Sequence, residues 1–110
     1  MKKILNYLLE KNLIFKSFKE VLPKELGSRK KVTLFIGVDL KTYYTLVMII
    51  EKKSRILQKE VEDFVGLHEK MELFIDSKIT KKIILINAPL CHKAKALLKE
   101  KGWKVYLDFS

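Results

Sequence analysis

Residues 32–53 read VTLFIGVDLKTYYTLVMIIEKK, and this stretch decides the fold. Residues 32–38 and 44–50 are dense in Val, Ile, Thr, Tyr and Phe, separated by a short span that includes Asp39, Lys41 and Thr42. β-Branched and aromatic residues favour pleated backbone. Apolar runs of this continuity suit central strands covered on both faces. Residues 54–57 read as a third short strand or as the tail of the second.

Working outward, residues 3–20 read as an amphipathic helix. Ile4, Leu5, Leu8, Leu9, Leu13 and Phe15 recur at helical spacing, with Lys11, Lys16 and Lys19 among them. This makes residues 1–22 an N-terminal helical unit. Its apolar stripe packs on the sheet, or else forms a homodimer; a small domain needs the buried area, so packing comes first. Pro23 and Gly27 punctuate the chain, and residues 25–31 read as a loop. Beyond the two strands, residues 60–76 carry Val61, Phe64, Val65, Leu67, Met71, Phe74 and Ile75 in a helical pattern. Residues 83–86 make a buried strand closed by Asn87, Ala88 and Pro89. A short helix over 91–101 ends at Gly102, which suits a helix C-terminus, and residues 103–107 make a last strand. The first strands can pair as hairpins, whereas strand–helix–strand at the end implies a parallel crossover. The expected architecture is a single α/β domain over 1–110. Its core, 32–107, is a mixed β-sheet of four to five strands flanked by helices, with the extra N-terminal helix.

A chain of 110 residues, about half of them apolar, fits one core. A formal charge of +10 favours a polyanionic partner. Acids concentrate at Glu60, Glu62, Asp63, Glu69, Glu72 and Asp76; a lysine-rich segment follows from Lys78 to Lys104, with only Glu100 against it. Cys91 is the one cysteine, which rules out an internal disulfide and points to a reducing compartment. With His68 and His92 it is too thin a set for structural zinc. Lys2 and Lys3 open the chain like a signal peptide, but Glu10 and Lys11 interrupt the apolar run. No segment approaches the roughly 20 apolar residues of a membrane span. The expectation is a cytoplasmic protein with no membrane partner.

Asp39 precedes Glu51 by twelve residues, and Lys53 stands two beyond Glu51. Within a strand, Glu51 and Lys53 would share a face while Lys52 points away. Carboxylates are hard ligands for Mg²⁺. A bound metal polarises a phosphoryl oxygen and activates water, and a lysine beside it steadies developing negative charge. The Asp39…Glu51-x-Lys53 pattern resembles the PD-(D/E)XK nuclease superfamily, built as helix, three strands, helix, strand. Residues 51–64 and the later KAKALLKEKGWKVY at 93–106 are similar to small prokaryotic members. The resemblance implies a metal-dependent nuclease with Mg²⁺ or Mn²⁺ at Asp39 and Glu51 and with Lys53 assisting the water. Arg29, Lys30, Lys31, Lys52 and Arg55 would contact phosphates of a nucleic acid, DNA ahead of RNA. Position 52, usually apolar in that family, is Lys52 here, and no proline leads Asp39.

Turn geometry keeps a second reading open. A two-residue turn at Lys41-Thr42 would pair Asp39 with Tyr44 and leave Glu51 seven residues further on, roughly 23 Å away at about 3.3 Å per residue. The order FIGVD, hairpin, second hairpin, then ILINAP at 84–89 looks like a ribonuclease H-like domain. There Asp39 would cooperate with Glu62 or Glu69, and Asn87 would stand where an acid is expected, weakening or silencing the site. A catalytically inactive binding or interaction module follows from that reading. Plainer roles compete at every position. Asp39 can shape a turn, residues 51–53 can be a solvated tip, His92 and Trp103 suit structural duties, and Cys91 has no evident base beside it.

Overall fold

In the computed structural model, which describes residues 2–108, the helices and strands alternate as α1 (Lys2–Glu10), β1 (Phe15–Val21), β2 (Thr33–Asp39), β3 (Tyr44–Glu51), α2 (Gln58–Ile75), β4 (Ile79–Asn87), α3 (His92–Glu100) and β5 (Trp103–Tyr106). A 3₁₀ turn, Pro23–Leu26, overlaps the start of the expected loop. The five strands form one sheet in the order β1-β2-β3-β4-β5. The β1/β2 and β2/β3 pairs are antiparallel, and β3/β4 and β4/β5 are parallel. The expected mixed sheet is therefore present, with α2 and α3 as the two parallel crossovers.

Alternation along the central strands divides the core in two. Ile36, Leu46, Met48, Ile50, Ile84 and Ile86 face α2 and α3, where they meet Val61, Phe64, Leu67, Met71 and Leu98. Phe35, Val47, Ile49, Ile83 and Leu85 face the other way and are covered by Ile4 and Leu8 of α1. Ile4 and Leu8 of the α1 stripe are thus packed on the sheet, while Leu9 stays exposed. No helix among the described residues is long and apolar enough to cross a membrane.

The expected helix over residues 3–20 is half right. It stops at Glu10; Asn12 takes a left-handed φ of 64°, and the chain returns as the edge strand β1. The misleading signal was the continuation of the apolar positions to Leu13 and Phe15, with Lys16 and Lys19 read as a polar face. Pairing slips between Phe15 and Ser17, where Phe15 lies opposite Asp39 and Ser17 opposite Val38. This irregularity breaks strict alternation and lets Phe15 and Phe18 share a face. Their rings sit 5.4 Å apart, and Phe18 stacks on Phe35 at 4.8 Å. Gly37 makes room: a Cβ there would lie 2.7 Å from the Phe15 ring.

Residues 54–57 do not form a strand. They contribute one parallel bridge, Ile56 to Leu90, which anchors the loop before α2. Gly102 closes α3 with φ 88° and donates its N–H to the Lys99 carbonyl at 3.0 Å, as expected of a glycine past a helix end.

Candidate nucleic-acid interface

The β2–β3 hairpin determines which proposed site residues meet. Val38 pairs with Tyr44 and Thr33 with Ile49, so the turn is centred on Lys41. Asp39 accordingly faces Tyr43, whose carbonyl accepts the Asp39 N–H at 3.0 Å. Glu51 lies eight residues beyond Tyr43, at the far end of β3, about 25 Å away at the strand rise. One metal ion with ligand distances near 2.1 Å cannot span that gap.

Asp39 has a local task. Its Oδ1 accepts the backbone N–H groups of Lys41 and Tyr43, both at 2.9 Å, so the carboxylate ties the hairpin loop together. Asn87 pairs with Glu51 on the neighbouring strand, at the end of the sheet opposite Asp39. Asp39 and Asn87 therefore do not meet, and the second hairpin that the ribonuclease H-like reading placed after Glu51 is not formed, because β3 leads directly into α2. Glu62 and Glu69 are exposed on α2.

At the Glu51 end the composition is basic. Antiparallel register carries the segment before Thr33 alongside Glu51, which brings Arg29, Lys30 and Lys31 to this edge. Lys52, Lys53 and Arg55 follow Glu51 directly. The strand ends at Glu51, so strict alternation does not extend to Lys53. Lys52 turns toward α2 and donates to both oxygens of Glu60 at 2.8 and 2.7 Å, while Glu60 also accepts the Leu57 N–H at the start of that helix. Burial opposes the charged form of Glu60, yet Lys52 and the Leu57 amide together hold its carboxyl below the ordinary range. Lys30 pairs with Asp63 at 2.7 Å, which raises its own pKa. These two of the five proposed phosphate ligands thus have carboxylate partners. Arg29, Lys31, Lys53 and Arg55 are exposed and have no ion-pair partner among the described residues.

The donor set does not fit Mg²⁺ or Mn²⁺. Glu51 stands beside the amide Asn87 and several lysines, the nearby Glu60 is engaged by Lys52, and no group of three His, Cys, Asp or Glu able to hold a metal occurs among the described residues. Cys91, at the N-cap of α3, has its thiol pKa lowered by hydrogen bonds from the Ala94 and Lys93 amides. A shallow cleft beside it, lined by Lys52, Asn87, Pro89 and Leu107, widens the same end of the sheet. Sequence reasoning missed that cleft, because its walls come from the ends of β3 and β4 and the segment after β5, which only the parallel order brings together. Trp103 is buried, edge-on to His68 at 6.3 Å, and anchors β5.

No protein-family model matches the chain, and no curated protein matches it significantly. Two solved structures share its fold: a repair endonuclease from Pyrococcus abyssi and EndoMS in its apo form. Each gives a TM-score of 0.55 at 16% identity. The match covers 99% of this chain and 47% of the Pyrococcus chain, and 96% and 44% respectively for EndoMS. This chain therefore spans less than half the length of either, and nearly all of it takes part in the likeness: its α/β fold is one found within these two proteins.

Proposed function

We propose that this chain is a nucleic-acid-binding domain on a PD-(D/E)XK-type nuclease fold, whose own acids do not assemble a metal site. The observation that carries this reading is the Glu51 end of the sheet. Where a metal-dependent nuclease needs converging carboxylates, the β2–β3 ladder ends at Thr33 and Ile49, and the chain just before it carries Arg29 and Lys31 while the chain just after Glu51 carries Lys53 and Arg55, all exposed. Unpaired cations at one edge suit the phosphates of a strand, because their binding releases condensed counterions. The fold likeness to a protein described as a repair endonuclease supports DNA ahead of RNA. The loop segments 27–32 and 52–57 supply positioning contacts, while Glu60 and Asp63 orient Lys52 and Lys30.

The test is fluorescence anisotropy with labelled single-stranded and duplex DNA at low salt in EDTA, alongside a cleavage assay in Mg²⁺ or Mn²⁺. Binding that survives EDTA and Glu51→Gln, and that falls at least about tenfold in a variant with Arg29, Lys31, Lys53 and Arg55 all changed to Gln, is the expected result. Metal-dependent cleavage abolished by Glu51→Gln would restore the nuclease reading. Absence of binding at low salt would overturn both.

A further inference from the structure

At the hairpin end of the sheet, remote from Glu51, the connection from α1 to β1 and the β2–β3 loop enclose a cleft of about 410 Å³. Its size falls within the range of small-ligand sites. The floor is polar. Thr45 is 1% exposed, and its hydroxyl has no hydrogen-bond partner among the described residues. Buried hydroxyls are nearly always paired, so an orphan at a cleft is a reason to look for a ligand. Thr45 is paired in register with Lys81 on one side and with Gly37, which has no side chain, on the other. The Phe15 ring sits over Gly37 and forms the wall of the cleft on the β2 side.

The rim carries cations and apolar surface together. Lys41 and Lys81 line the cleft, both exposed and without ion-pair partners among the described residues. Lys104, opposite Ile83 and hence on the same face as Lys81, is also exposed and unpaired. Tyr43 is 53% exposed and its ring has no aromatic or cationic partner among the described residues. Ile14 and Leu40 line the same cleft, also exposed. Asp39 contributes a carboxylate whose Oδ1 is held by the loop amides. A bare anion would be repelled by that group, whereas a ligand with its own hydroxyl or amino donors would not.

From these features we infer a binding site for a nucleotide unit. A planar base stacks on Tyr43 in the cleft that Ile14 and Leu40 also line, its phosphate meets Lys81 and Lys41, and a sugar hydroxyl or base amino group donates to Asp39. Free nucleotides and units of a single strand share this chemistry. The inference stands on this cleft alone and is independent of the basic edge at Glu51.

The experiment is a ¹⁵N-NMR titration of the full chain with adenosine and thymidine 5′-monophosphates, with inorganic phosphate, and with a short thymidine oligonucleotide. The expected result is saturable shifts of the Tyr43, Thr45 and Lys81 amides with the mononucleotides, much smaller ones with phosphate. Tyr43→Ala should weaken binding about tenfold, the range of base–aromatic stacking, and Lys81→Gln should weaken it as well. Changing Arg29, Lys31, Lys53 and Arg55 to Gln should leave these shifts intact. Tighter binding of the oligonucleotide than its number of units explains identifies a strand as the source, and equal affinity per unit identifies the free nucleotide. Unmoved cleft amides at millimolar nucleotide, shifts equalled by phosphate, or affinity unchanged in both cleft variants with native-like spectra would each overturn the site.

Discussion

Thr42 adopts φ 70° in the hairpin loop, a conformation that suits glycine and strains a β-branched residue by about 1–2 kcal/mol. The loop has three residues between Asp39 and Tyr43, with the Thr42 N–H bonded to the Asp39 carbonyl at 3.0 Å. This geometry normally places glycine at the left-handed position. Thr42→Gly should therefore raise stability by about 1 kcal/mol, seen as a higher urea midpoint at unchanged slope. Gly37 is the opposite case. Its missing Cβ is the space in which the Phe15 ring sits, and an aromatic ring packed on a strand cannot yield cheaply. Gly37→Ala should destabilise by about 1–3 kcal/mol, and most of that loss should vanish in a Phe15→Ala background, a coupling that a double-mutant cycle reads directly. Asp39 belongs to this scale too. Its carboxylate is occupied by two loop amides, which is why the turn reading of this residue held and the metal reading did not.

At the scale of elements, β2 and β3 were legible as continuous apolar runs and α2 by its helical period, whereas only residues 83–86 of β4 were, because the exposed Thr80 and Lys81 and the half-buried Lys82 interrupt its first half. The second half of the expected N-terminal helix was not legible, because Leu13 and Phe15 continue the apolar positions of α1, and the pairing irregularity at the start of β1 breaks the alternation that would mark a strand. The candidate site failed for a related reason. Two residues of a hairpin meet only if they are equidistant from its centre, and no Asn-Gly or Asp-Gly pair marks where that centre lies. With the centre at Lys41, Asp39 mirrors Tyr43, and the position mirroring Glu51 is Lys31. The helix α2 carries a prediction of its own. Burial holds His68 below its ordinary pKa of 6.5 against the opposing pull of Glu72, with Lys82 and Lys78 adding to the depression. The unfolded chain then binds a proton that the folded chain resists, so stability declines as pH falls below about 6.5. Glu72 is held below its ordinary value chiefly by the Ile79 amide, as Glu60 is by Lys52. Their contributions are complete above pH 4.5 and are lost as pH drops through their folded values. Urea midpoints should thus fall in two stages between pH 7.5 and 3. The first stage should have a slope below the limit of about 1.4 kcal/mol per pH unit for one proton, and His68→Gln should flatten it.

For the whole molecule, a charge of +10 does not by itself locate a partner; its distribution does. Glu60, Asp63 and Glu72 of α2 engage Lys52, Lys30 and the Ile79 amide, whereas Arg29, Lys31, Lys53 and Arg55 hold no carboxylate among the described residues. Lysines that already hold carboxylates contribute less to phosphate binding, because their ion pair must first be broken. This ranks the basic residues in a way that charge counting cannot. In duplex DNA binding, log K should fall linearly with log[salt], and each of Arg29→Gln, Lys31→Gln, Lys53→Gln and Arg55→Gln should reduce the slope by about 0.9 if it removes one phosphate contact. Lys30→Gln and Lys52→Gln should reduce it by clearly less, while releasing Asp63 and Glu60 as new negative charges that lower affinity at every salt concentration. A uniform slope change across all six variants would mean that the ion pairs open on binding, and that the edge works as a diffuse field rather than as four specific contacts.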